Sequence, residues 1–127
     1  MGGGLGKSIV EHIKTELKDF EIFAVGTNAL ATASMIKAGA SRGATGENAI
    51  LYNCKHADFI IGAVGIVLAD GMLGEISARI SAAVAGSDAH KILIPVSGCN
   101  TTIVGIQEQS LTQSLCEITG IVRRLSV

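Results

Sequence analysis

Four glycines, Gly2, Gly3, Gly4 and Gly6, stand ahead of a helical pattern and run into Lys7 and Ser8. Glycines remove side chains from a tight turn, so backbone N–H groups at the start of the next helix are free to face an anion. Phosphate is the ligand such a turn suits, with Lys7 adding positive charge. Gly6-Lys7-Ser8 matches the close of the mononucleotide pattern G-x-x-x-x-G-K-[ST], but that pattern requires a glycine where Met1 stands. The spacing excludes it. The plainer reading is a glycine turn that only packs a helix tightly on a strand.

Further candidates lie along the chain. Thr27 and Asn28 follow the strand-like EIFAVG and are expected to contact a sugar or base, while Gly62 and Gly65, in IGAVGIVLADG, are expected to form the opposite wall. Asp70 and Glu75 are read at the start of the next helix, where carboxylates complement the dipole or face a substrate hydroxyl. Cys99, in VSGCN, is a nucleophile only if its thiol is activated, and no histidine adjoins it. An enzyme using Asp70, Glu75 or Cys99 ranks second, without assigned catalytic residues. Cys54-x-His56 offers two soft ligands where a structural zinc site needs four, so no metal is expected. Arg42, in SRGATGEN, is either a phosphate or carboxylate partner or part of a solvated loop, and His12 and His90 read as structural or solvated.

These residues need elements to hold them. Leu5, Ile9, Ile13 and Leu17 are four apart and predict a first helix. Residues 21–26 read as a strand, Asn28 as the N-cap of a small-residue helix ended by Gly39, and Thr45 as the cap of a third helix. DFIIG is an apolar strand. Leu73, Ile76, Ile80 and Val84 predict a helix that stops at Gly86, followed by strands KILIPV and TTIVGI and by a helix carrying Leu111, Leu115, Ile118, Val122 and Leu125. SRGATGEN reads as a polar loop. Strands alternating with helices predict an α/β fold, a three-layer Rossmann-like parallel sheet with helices on both faces. Its ligand belongs beyond the carboxyl ends of the strands, where the strand order reverses.

The 127 residues fit one domain, 1–127, and 48% are apolar against 17% charged. With aromatics at 3% and no Trp, the core must be aliphatic. A net charge of -1 makes nucleic acid a poor partner, and the longest apolar run, Phe59 to Ala69, is too short to span a bilayer. Three widely spaced cysteines and no secretory signal point to reduced thiols and a cytoplasmic protein.

Gly4-Leu5-Gly6-Lys7 resembles the GIGK piece of short-chain dehydrogenases, but no acid follows EIFAVG and the only tyrosine, Tyr52, lacks a lysine four residues on. Hydride chemistry is not expected. Along nearly the whole chain, GGGLGKSIVEHIK, AVGTNALATASMIKAGA, ATGENAI, ADFIIGAVGIVLADGMLGEIS and KILIPVSGCN resemble a family of short bacterial proteins known only as a domain of unknown function. That resemblance implies a Rossmann-like fold and no particular activity. It also implies a strand similar to VIDGQ ahead of the glycines, so the first strand is expected to be missing from this chain. The expected partner is a nucleotide or another phosphorylated small molecule. An exposed gap in the sheet would also favour a homo-oligomer. The alternative is a non-catalytic assembly subunit docking through the apolar stripe of its last helix.

Overall fold

The computed structural model describes residues 3–95 and 100–126. Helices and strands alternate through α1 (Gly3–Glu16), β1 (Phe23–Gly26), α2 (Ala29–Lys37), β2 (Arg42–Thr45) and α3 (Glu47–Cys54). The order continues through β3 (Phe59–Ala63), a 3-10 turn (Val64–Val67), α4 (Ala78–Ala85), β4 (His90–Ile94) and α5 (Leu111–Leu125). The strands form two small parallel sheets, β1 with β2 and β3 with β4. Phe23 pairs with Arg42 and Gly26 with Thr45 in one, Phe59 with His90 and Ala63 with Ile94 in the other. Each sheet is a strand, helix, strand unit, the connection that parallel pairing requires.

Three buried clusters hold the described residues together, and α1 serves two of them. Its Ile9, Ile13 and Leu17 are buried with Ile92 and Ile94 of β4 and with Ile118 and Val122 of α5. One position round the helix, Val10 is buried with Ala24 of β1, Met35 of α2 and Ala40. On the other side of β3, Ile60 packs with Cys54, Ile76, Ile80 and Val84. The side chain of Lys14 lies against Gly39, just ahead of β2, so the C-terminal half of α1 sits at the amino ends of the strands. Its glycine-bearing start, ~16 Å away at 1.5 Å per residue, points toward their carboxyl ends.

Local signals account for most boundaries. Asn28 caps α2 through Ala31 N, and the helix closes as a Schellman motif, Ala40 N donating to Met35 O and Gly39 N to Ile36 O, with Gly39 at φ 125°. Ser77 caps α4, and Ser110 with Gln113 forms a capping box that starts α5. The α5 stripe expected from sequence is present, but Ile118 and Val122 spend it on the chain's own core.

Several expectations are corrected. The glycines Gly3, Gly4 and Gly6 lie inside the first turns of α1, and Gly2 is outside the described residues. A Cβ on Gly6 would come 2.6 Å from Met35 Sδ, so this glycine lets α1 and α2 approach closely. Residues 21 and 22 precede β1, which starts at Phe23. SRGATGEN contains β2, and Thr45 ends that strand instead of capping α3, whose N-cap is Gly46. The helix expected over Leu73 to Val84 starts only at Ala78; the stretch before it is a turn in which Leu73 is exposed. TTIVGI forms no strand: its residues are exposed and belong to neither sheet. His12 is half-buried, its Nε2 3.5 Å from Thr119 Oγ1, where a solvated side chain was expected.

Candidate functional site

The carboxyl ends of β1 and β2 and the segment beyond β3 converge on one polar cluster. Gly26 ends β1, and the next two residues, Thr27 and Asn28, both reach Glu75: Thr27 Oγ1 donates to Glu75 Oε1 at 2.9 Å and Asn28 Nδ2 to the same oxygen at 3.4 Å. Because Asn28 Oδ1 accepts from Ala31 N at 2.9 Å, its amide nitrogen is left facing Glu75. A cap at one helix thus orients a donor for a residue of the other half.

A second tie runs parallel to the first. Ser77 Oγ donates to Glu47 Oε1 at the first residue of α3 while accepting from Ile80 N at 3.2 Å. Arg79 Nη1 lies 3.5 Å from Glu47 Oε2, with both side chains partly exposed. Below these groups Thr45 Oγ1 donates to Thr32 Oγ1 at 2.8 Å, and Thr32 Oγ1 reaches the carbonyls of Asn28 and Ala44 at 3.2 and 3.3 Å. Thr32 is buried, so this hydroxyl pair locks the start of α2 over the end of β2.

Glu75 is delivered by a strained turn. Asp70, Met72 and Leu73 have φ of 61°, 54° and 58°, a left-handed conformation that costs each non-glycine residue energy. The turn is closed by Asp70 N donating to Ile76 O at 2.7 Å and Ile76 N to Gly71 O at 3.2 Å. A Cβ on Gly71 would sit 2.4 Å from Gly65 O, so the two glycines stack the turn against the end of β3.

The sequence-expected residues are partly assembled here. Thr27 and Asn28 lie at the centre, and Glu75 joins them. Asp70 is exposed in the turn, away from a helix start. Gly62 and Gly65 face side chains of their own loop, Ile66 at 3.1 Å and Met72 at 3.3 Å from the Cβ each would carry. Gly4 and Lys7 are exposed on α1, Gly3 opens the helix, and Cys99 falls outside the described residues. Arg42 is at the other end of β2, its guanidinium carbon 5.7 Å from the Phe23 ring centroid and its Nε 3.8 Å from Glu21. A cleft of about 450 Å³ opens there between the first sheet and α3, with Phe23, Arg42, Thr45 and Tyr52 among its walls.

Glu47 and Ser77 were not foreseen. Glu47 stands where the SRGATGEN loop runs into the expected third helix and Ser77 in the middle of another expected helix. The signal available was Ser77 ahead of ARISAAVA, a capping residue before an apolar run. Of the two cysteines among the described residues, Cys54 is buried and Cys116 exposed, and burial raises the Cys54 thiol above its ordinary value despite the nearby Lys91.

The sequence pattern of one family spans this whole arrangement, matching residues 1–126. The chain belongs to DUF3842, a domain of unknown function. The glycine run, Thr27, Asn28, Glu47 and Glu75 all fall inside the stretch shared with the DUF3842 family. No curated protein and no solved structure is significantly similar to the chain.

Proposed function

We propose that the chain is a Rossmann-like module that binds a nucleotide or another phosphorylated small molecule at the carboxyl ends of its strands. The observation that carries this reading is the convergence of Thr27, Asn28 and Glu75 at the end of β1, on the side toward which the glycine-bearing start of α1 points. In α/β sheets ligands collect at that end, where a helix N-terminus offers unpaired N–H groups to phosphate. Gly3 and Gly4 would leave the backbone accessible there while Gly6 seats the helix against Met35, Lys7 would add charge, and Thr27 and Asn28 would meet the sugar or base. Gly62 and Gly65 would shape the opposite wall by holding the turn that carries Glu75. No reaction is assigned.

The same reading treats the two sheets as halves of one layered sheet with a strand position between β1 and β3. Arg42 N and Gly46 N donate to Ile22 O and Gly26 O, so the even-numbered peptides of β1 face β2 and Phe23 and Val25 face away. His90 N donates to Asp58 O, which by the same alternation turns Phe59, Ile61 and Ala63 away from β4. A parallel strand leading into α1 would satisfy both edges, with α1 already covering both halves. An assembly subunit docking through α5 is less favoured, since Ile118 and Val122 are core residues. Copies of the chain associating through the free edges would give a homo-oligomer. Among the described residues no helix is long and apolar enough to cross a membrane.

A thermal-shift screen against adenine, guanine and nicotinamide nucleotides and simple phosphates tests the binding, because a ligand selective for the folded state raises Tm. It is run on the chain alone and with a five-residue apolar strand fused ahead of α1. A nucleotide-specific rise that Gly4→Val, at a position where a side chain meets nothing within 4 Å, abolishes is the expected result. No rise with any phosphate in either folded protein overturns the reading.

A further inference from the structure

We propose that Glu75 is the acceptor for the vicinal hydroxyls of a ribose bound at the end of β1, which makes it the residue that separates ribose from deoxyribose ligands. The inference rests on the nucleotide reading above and specifies the sugar. In doubly wound sheets a ribose diol is held by a carboxylate at the end of the strand that follows the glycine-bearing helix. Here that strand is β1, and the residues after it are Thr27 and Asn28, which carry no acid.

The fold supplies the carboxylate from 48 residues away. Glu75 Oε1 takes both hydrogen bonds, from Thr27 and Asn28, and among the described residues no hydrogen bond engages Oε2. One oxygen is therefore held, and the other, without a hydrogen bond among the described residues, is the one a hydroxyl would meet. Two further features hold this geometry without a ligand. The cap on α2 fixes the Asn28 amide, and the left-handed turn at Asp70, Met72 and Leu73 sets where Glu75 leaves the backbone. Strain maintained by surrounding contacts is the usual mark of a positioned group.

The test is calorimetric titration of the wild type, Glu75→Gln and Glu75→Ala with ribonucleoside diphosphates, their 2′-deoxy counterparts and inorganic pyrophosphate. Circular dichroism first establishes that each variant is folded. A lost hydrogen bond to a charged group corresponds to a preference of about tenfold or more for the ribonucleotides in the wild type. In Glu75→Ala that preference is expected to fall within about twofold while pyrophosphate affinity is unchanged, with Glu75→Gln intermediate. Equal binding of both sugars by the wild type, or a preference kept in Glu75→Ala, overturns the role of Glu75 and leaves phosphate binding standing. Binding of none of the probes overturns this inference together with the reading beneath it.

Discussion

The two half-sheets are built from different materials. Around β3 and β4 the buried residues are large aliphatics, Ile9, Ile13, Leu17, Ile92, Ile94, Ile118 and Val122 on one side and Ile76, Ile80 and Val84 on the other. Around β1 and β2 they are Val10, Ala24, Met35 and Ala40, with the buried hydroxyl of Thr32 beside them. Buried aliphatic area is what stabilises a fold, at roughly 25 cal/mol per Å². Small residues and paired hydroxyls contribute less but let backbones approach and set directions. The first half therefore positions Thr27 and Asn28, and the second half supplies the stability against which Glu75 is held.

Substitutions can break that contrast. Ile92→Ala, in the aliphatic half, is expected to cost about 2–5 kcal/mol in urea unfolding, as large-to-small core changes do. A cost below that of any change around β1 would contradict the division. Gly71→Ala should come next, at about 1–3 kcal/mol, because the new methyl meets the Gly65 carbonyl and a backbone must move. It should also abolish any ribose preference, since the turn carries Glu75. Thr32→Val keeps the volume but removes the hydroxyl that Thr45 donates to, and a loss of about 1 kcal/mol is expected by the same assay.

Two smaller effects sharpen the picture. Arg123→Ala removes a 2.9 Å hydrogen bond to Glu16 O and a half-exposed ion pair, and screening limits the loss to about 0.5 kcal/mol at moderate salt. The raised Cys54 thiol gives a pH dependence of known sign. The unfolded chain ionises first, so the native state holds more protons above the ordinary thiol value of 9.0. Stability is full below that value and declines as pH rises toward the folded one. Urea midpoints at pH 8 and pH 10 should show the decline, and Cys54→Ala should remove that part of it.

The aliphatic half was legible in the sequence and the small-residue half only in part. DFIIG, KILIPV and the α5 stripe announce themselves through runs and spacings of large apolar side chains. β2 does not, because RGAT is an edge strand with no large apolar residue and its Gly43 sits close under Ile36. TTIVGI misled in the opposite direction, since its β-branched residues look strand-like while Val104 is 95% exposed. Leu73 falls at helical spacing from Ile76 and Ile80 yet lies in a left-handed turn, which periodicity alone does not reveal. The site was half-visible for a related reason. Asn28 was readable as a cap, but its link to Glu75 joins residues 47 apart and leaves no local pattern.

The turned-away peptides of Phe23, Val25, Phe59, Ile61 and Ala63 also bear on colloidal behaviour. Rows of N–H and C=O groups with no strand paired to them among the described residues template extended segments of other chains, and no lysine stands at those five positions to discourage it. At high concentration neighbouring copies compete for those hydrogen bonds, and an added strand that pairs with either edge should raise solubility along with order.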